Sequence, residues 1–150
     1  ADVSDALWYD FGLDPVIVGG RSERELSAER VIMERARHTP RSALGSGLRK
    51  LVSIIDGSAL VLAPDTGPLH MSVALDRPVI SLMGYTNPKR TGPYRRFHDL
   101  LIDAYGDPGE DYPISMENRP GRMERIRVRD VLDRVQRWKE RYAVSTAPKR

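Results

Sequence analysis

The stretch from Leu60 to Leu75, LVLAPDTGPLHMSVAL, decides the fold. Its first residues, Leu60 to Ala63, are continuously apolar, as in a strand covered on both faces. The run breaks at Pro64-Asp65-Thr66-Gly67-Pro68 and then resumes with helical spacing. A buried strand, a tight turn and the opening of a helix are expected in that order. Asp65 or Thr66 can cap the helix, because a short side-chain oxygen accepts a bond from an orphan first-turn N–H. Gly67 has no Cβ, so a ligand can approach the backbone there. Pro68 suits the first turn, where its missing N–H costs nothing. The N–H groups of Gly67, Leu69 and His70 would face outward at the positive end of the helix dipole, a place that suits phosphate or carboxylate. Plain connections use the same turn chemistry, so the flanking chain has to decide.

On the N-terminal side, residues 1–13 read as the last turns of a helix ending near Gly12. Pro15 to Gly20 (PVIVGG) is a β-branched run closed by two glycines, a strand expected to be buried on both faces. Ser22 and Glu25 have capping-box spacing, and a helix is expected from there to about His38. Thr39 to Gly47 reads as a turn-rich break. Leu48, Leu51, Val52 and Ile55 outline an amphipathic helix ending near Gly57, followed by a strand over Ala59 to Ala63.

On the C-terminal side, the helix from Thr66 is expected to run to about Asp76, and Pro78 to Met83 reads as another buried strand. Residues 84–96 form a Gly/Pro-rich basic loop in which Tyr85 and Tyr94 are expected to pack. Leu100 to Ile102 suggests a last short strand. Residues 103–121 read as a long acidic, irregular connection. Val128 to about Tyr142 forms a final amphipathic helix with Val131, Leu132, Val135 and Trp138 on its apolar face, and residues 143–150 a frayed tail. Trp8 and Trp138 are expected to anchor a core or interface. His38 and His98 lie too far from any carboxylate cluster in the sequence to suggest a metal site.

Alternating strands and helices mean an α/β layer fold with a mostly parallel sheet. Ligands of such sheets sit at the carboxyl ends of the strands. Three junctions fall on that edge: Gly19-Gly20 into Ser22, Asp65-Thr66-Gly67, and Gly84 into the basic loop. All three carry small residues, and together they are expected to line one cleft.

Composition sets the frame. A chain of 150 residues with 40% hydrophobic and 30% charged residues is one globular domain's worth, not a disordered segment. No apolar run approaches the roughly 20 residues that a membrane-spanning helix needs. The absence of cysteine excludes disulfides and thiolate metal sites within these residues and fits a reducing cytosol. The formal net charge is only +3, with Arg well ahead of Lys. Arg favours bidentate contacts to phosphates and carboxylates, whether on a nucleotide, a nucleic acid or an anionic membrane surface. Acidic residues interspersed through the last helix argue against nucleic acid.

Between Ala59 and Tyr94 the chain resembles the donor-binding half of the heptosyltransferase family, the glycosyltransferases of lipopolysaccharide core assembly. The carrying residues are Asp65-Thr66-Gly67-Pro68-Leu69-His70 with Ala74-Leu75, then Arg77-Pro78-Val79-Ile80, Gly84, Thr86-Asn87-Pro88 and Arg90-Thr91-Gly92-Pro93-Tyr94. Leu44-Gly45-Ser46, and Gly19-Gly20 with Glu23, extend the likeness over most of residues 14–135. The resemblance implies a Rossmann-like domain over 1–142, a mostly parallel sheet with helices on both faces, forming the C-terminal half of a GT-B enzyme. That enzyme would transfer a sugar with inversion and without a metal, from a nucleotide-sugar of the ADP-heptose type to a growing glycan or lipid-linked acceptor. It would work in the cytoplasm, at the inner face of the membrane.

The resemblance also implies roles. Thr66, Gly67 and His70 would face the donor diphosphate, and Asp65 the sugar hydroxyls. Glu23 would take the ribose hydroxyls, a role that Glu25 could equally fill. Gly20 would admit the donor beside it. Lys89 and Arg90 follow a strand's carboxyl end, where a cation stabilises phosphate. The family's acceptor domain, the strand and Gly-rich loop that open its donor domain, and the cysteines that many members carry near the C-terminus have no counterpart here. The catalytic base is therefore expected on a preceding domain, and this chain alone is expected to be an inactive fragment. A non-catalytic nucleotide-binding module and, more remotely, a nucleic-acid-binding domain stand as alternatives.

Overall fold

The computed structural model describes residues 1–143. The chain groups into two compact units, Ala1–Ile54 and Ile55–Arg150.

The first unit begins with α1 (Asp2–Tyr9), as the spacing of Val3 and Leu7 leads one to expect. Asp5, Ala6 and Leu7 are its buried residues. The Asp5 carboxylate accepts the backbone N–H groups of His38 at 2.9 Å and Arg37 at 3.0 Å, which holds its pKa below the ordinary carboxylate value. Trp8 is not a core anchor: it is 39% exposed and stacks on His38 at 3.6 Å between ring centroids.

β1 (Val16–Ile17) leads to α2 (Glu23–Arg35), which ends three residues earlier than expected, since Ala36 is already extended. The supposed break after it contains β2 (Arg41–Ser42), which pairs with β1 in parallel. The evenly spaced bonds of a parallel ladder run on both sides of it, with Arg41, Ala43 and Gly45 N–H donating to the carbonyls of Pro15, Ile17 and Gly19. Sequence patterning misses β2 because both of its residues are exposed. Val16 and Ile17 are half-buried rather than covered on both faces. α3 (Leu48–Gly57) carries the chain into the second unit, with Ile55 as its buried residue.

In the second unit β3 (Val61–Pro64), α4 (Gly67–Ala74), β4 (Val79–Met83), α5 (Pro88–Thr91), β5 (Ile102–Asp103) and α6 (Val128–Arg141) follow in order. The three strands form one parallel sheet in the order β3-β4-β5, with Val61 opposite Val79 and Leu82 opposite Ile102. The α/β class and the parallel pairing are as expected. Among the described residues, however, the strands make two hydrogen-bonded sheets, of two and three strands, instead of one.

β4 is central, which is why Val79 and Ile80 are fully buried. Leu69 of α4 and Val135 of α6 are buried as completely. Each such aliphatic side chain contributes roughly 1.5–3 kcal/mol relative to leaving it in water. Trp138 on α6 is an anchor as expected: it is buried, and its Nε1–H donates to the Ala59 carbonyl at 3.1 Å.

α4 ends at a left-handed residue, Asp76 (φ 55°). The Arg77 N–H reaches back to the Ser72 carbonyl at 2.8 Å. That closes the last turn as a glycine usually does, with a short polar side chain that tolerates the conformation. The basic loop is not wholly irregular: Asn87 caps the one-turn α5, its Oδ1 accepting the Lys89 N–H at 3.0 Å. Tyr85 and Tyr94 are 49% and 68% exposed, so they do not pack the loop. Of the expected tail, residues 144–150 lie outside the described residues.

Candidate functional site

The turn after β3 is where sequence and structure meet. Thr66 occupies the N-cap position of α4, and Pro68 sits in the first turn, as the sequence requires. Neither Asp65 nor Thr66 caps with its side chain, contrary to expectation. The Thr66 hydroxyl turns back to the Pro64 carbonyl at 3.3 Å. The Leu69 N–H, expected to face outward, donates to the Thr66 carbonyl at 3.1 Å. Gly67 keeps its space: a Cβ built there would meet only the end of the Met71 side chain, at 3.5 Å.

Asp65 is held from the next loop instead. Thr86 Oγ1 donates to Asp65 Oδ2 at 2.6 Å, and Thr91 Oγ1 lies 3.3 Å from Thr86 Oγ1. His70, one turn into α4, places Nε2 at 3.3 Å from Asp65 Oδ1. A carboxylate only accepts, so that nitrogen carries the proton. Partial burial raises the Asp65 pKa more than any other single influence. The bonds from Thr86, Thr91 and His70 together outweigh it and hold the carboxyl below the ordinary range. Asp65 is therefore ionised at neutral pH and fixed on both oxygens, while His70 remains half exposed.

Two of the three expected junctions are thus brought together, at the carboxyl ends of the neighbouring strands β3 and β4. The third, at Gly20, belongs to the first unit. There the Gly20 N–H donates to Glu25 Oε1 at 2.7 Å, and a Cβ on Gly20 would lie 2.9 Å from Glu25 Oε2. Glu25 also closes the capping box with Ser22. Its pKa is lowered, first by the Ser22 hydroxyl and then by the Gly20 and Ser22 N–H groups. Glu23 is exposed, and among the described residues its carboxylate has no ion pair.

The two cations differ. Lys89 Nζ bonds Asp111 Oδ1 and the Tyr112 carbonyl, both at 2.7 Å, and lies over the Tyr112 ring. Arg90 is exposed, and its guanidinium has no ion pair among the described residues. Gly84 does not open the backbone to a ligand: a Cβ there would lie 2.7 Å from Met123 N, so the chain's own backbone fills that space.

Thr86, Thr91 and Asn87 are the site residues that residue-by-residue reading did not single out. The signal was present in Asn87-Pro88, a capping residue before a first-turn proline. A cavity of about 620 Å³ opens elsewhere in this unit, lined by Asp103, Glu110, Arg125, Asp133 and Arg134 among others, and includes no residue of the Asp65 corner. Among the described residues no group of three or more His, Asp or Glu is placed to hold a metal ion.

Comparison with known proteins puts this geometry in context. The sequence profile of glycosyltransferase family 9 (heptosyltransferase) matches residues 4–107. The chain is 27% identical over 139 residues to the lipopolysaccharide core heptosyltransferase OpsX of Haemophilus influenzae, covering 86% of this chain and 40% of that protein. It is 39% identical over 98 residues to lipopolysaccharide heptosyltransferase 1 of Pseudomonas aeruginosa, covering 65% of this chain and 24% of that one. The chain therefore spans well under half the length of either relative. The crystal structure of a family 9 glycosyl transferase from Veillonella parvula superposes with a TM-score of 0.73 over 91% of this chain and 39% of its own, at 20% identity, a likeness of fold.

Proposed function

The chain belongs to glycosyltransferase family 9 (heptosyltransferase), and from that premise we propose that it is the donor-binding part of such an enzyme. The donor is a nucleotide-sugar of the ADP-heptose type, and the acceptor a lipopolysaccharide or related glycan. The base that deprotonates the acceptor hydroxyl comes from a further domain, at the cytoplasmic face of the inner membrane.

The observation that carries this reading is the 2.6 Å bond between Thr86 and Asp65, which joins two loops at the carboxyl edge of a parallel sheet. An ionised Asp65 suits sugar hydroxyls, which donate to it. The diphosphate lies on the Thr66–His70 turn, at the positive end of α4. Arg90 supplies an exposed cation. Lys89, already engaged by Asp111, supports the donor site by shaping its loop. Departure of the nucleoside diphosphate is stabilised by these donors and cations, aimed where negative charge develops. The transfer proceeds with inversion and without a metal.

With Nε2 bonded to Asp65, His70 can meet a phosphate only through Nδ1, which needs a second proton.

Calorimetric titration of ADP and ADP-sugar into the folded chain tests the reading. Binding is expected, weakened about ten- to hundredfold for the sugar nucleotide by Asp65→Asn, the range for losing one or two bonds to a charged group. A folded sample that gives no heat with any nucleoside diphosphate overturns the reading.

A further inference from the structure

Asn87, like Ser72 and Ser81, is a completely buried polar residue of the second unit, and it has the largest side chain of the three. Every bonding group of its side chain is used. Oδ1 accepts the Lys89 N–H at 3.0 Å, while Nδ2 donates to the Pro113 carbonyl at 2.8 Å and approaches Ser115 Oγ at 3.4 Å. The amide has only one workable orientation. Reversed, it would set N–H against N–H and oxygen against oxygen. Its backbone carbonyl accepts the N–H groups of Arg90 and Thr91, both at 3.0 Å, and the Thr91 hydroxyl at 3.3 Å. Contacts lead from the backbone at Pro113 through Asn87 to Thr91, whose one hydroxyl proton is shared between the Asn87 carbonyl and Thr86 Oγ1, and from Thr86 to Asp65.

We infer that Asn87 is a positioning residue: its buried amide pins the Thr86–Thr91 turn to the acidic segment at Pro113 and so sets the Thr86 hydroxyl on Asp65. Two other links join the same stretches. The Arg119 N–H donates to the Tyr85 carbonyl at 2.9 Å, and Lys89 reaches Asp111 and the Tyr112 carbonyl. The Lys89–Asp111 pair is exposed on both sides, and such pairs hold little in water. The Asn87 bonds have no competing water, and breaking them strands the Pro113 carbonyl. Asn87 therefore dominates the placement of the loop. The acidic segment at 103–121 gains a role as well: it is the wall against which the Asp65 corner is built.

The experiment compares Thr86→Val, Asn87→Ser and the double variant in the full chain. Serine keeps a capping oxygen for α5 but is too short to reach Pro113. Asn87→Thr serves the same purpose should the serine variant fold poorly. The readout is the Asp65 carboxyl, followed by carbon-13 NMR through an acid titration. Thr86→Val should move its midpoint upward. Asn87→Ser should move it in the same direction, and the double variant should go no further than Thr86→Val, because residues acting in series do not add. An Asn87 variant that lowers Tm but leaves the Asp65 midpoint in place overturns the inference, as does full additivity. The consequence for donors rests on the function proposed above: ADP-sugar affinity should fall about tenfold in Asn87→Ser, equivalent to one lost bond. If the unaltered chain binds no nucleotide-sugar, that function fails while the carboxyl titration still decides the role of Asn87.

Discussion

At the corner after β1 the helix is closed by the chain's own carboxylate, whereas at the corner after β3 the nearest carboxylate is taken by side chains of the next loop and of His70 and leaves the helix start uncapped. Glu25 accepts the N–H groups of Gly20 and Ser22 and fills the space beside Gly20. It is a built-in anion where an external one could have gone. Asp65 faces the next loop and leaves the start of α4 without a side-chain cap, with room above Gly67. A glycine beside a helix start therefore says little about ligands until the carboxylates around it have been assigned partners.

The largest expected effect sharpens that contrast. Asp65→Asn should cost about ten- to hundredfold in sugar-nucleotide affinity, read by calorimetry on a variant that still folds. Backbone crowding comes next. Gly84→Ala drives a Cβ to 2.7 Å from Met123 N, and overpacking of this kind destabilises by about 1–3 kcal/mol in chemical denaturation. Gly67→Ala should fold normally, since only a flexible methionine end lies nearby. Equal losses from the two glycines would break the distinction between a filled and an open corner.

Smaller still is the cap of α2. Ser22→Ala removes the hydroxyl bonded to Glu25 and should cost about 1 kcal/mol of stability with donor affinity unchanged. The smallest effect is in acid. Asp65 has a lowered pKa in the fold, so its contribution is present above the unfolded carboxylate value and disappears as pH falls through the folded one. The Tm difference between the unaltered chain and Asp65→Asn should therefore shrink below about pH 4. Glu110, held down to about 2 chiefly by the Arg119 guanidinium, should show the same trend over a wider window, from 4.5 towards 2.

The second unit was the more legible in sequence, and the reason is physical. Val79–Met83 and Val61–Ala63 are apolar because the parallel sheet covers them, so pattern and structure agree. The turn at 64–68 announced itself through proline and glycine at positions only those residues favour. Arg41–Ser42 lacked any such signature, since an exposed two-residue edge strand buries nothing that patterning can register. The site was legible in its parts and not in its wiring. Asp65 and His70 are found by motif, but the bond from Thr86 spans 21 positions and depends on parallel register. The engagement of Lys89 by the acidic segment could not be read either, because exposed charge runs give no indication of which partner they meet.

The account rests on α4, not α2, presenting its first turn to an anion. Backbone amide NMR of the full chain during an ADP titration measures this directly. Shifts that build from Thr66 through Gly67 to His70, with the Glu25-bonded amides of Gly20 and Ser22 little moved, are the predicted result. Saturable ADP binding that leaves Thr66, Gly67 and His70 unchanged would contradict it.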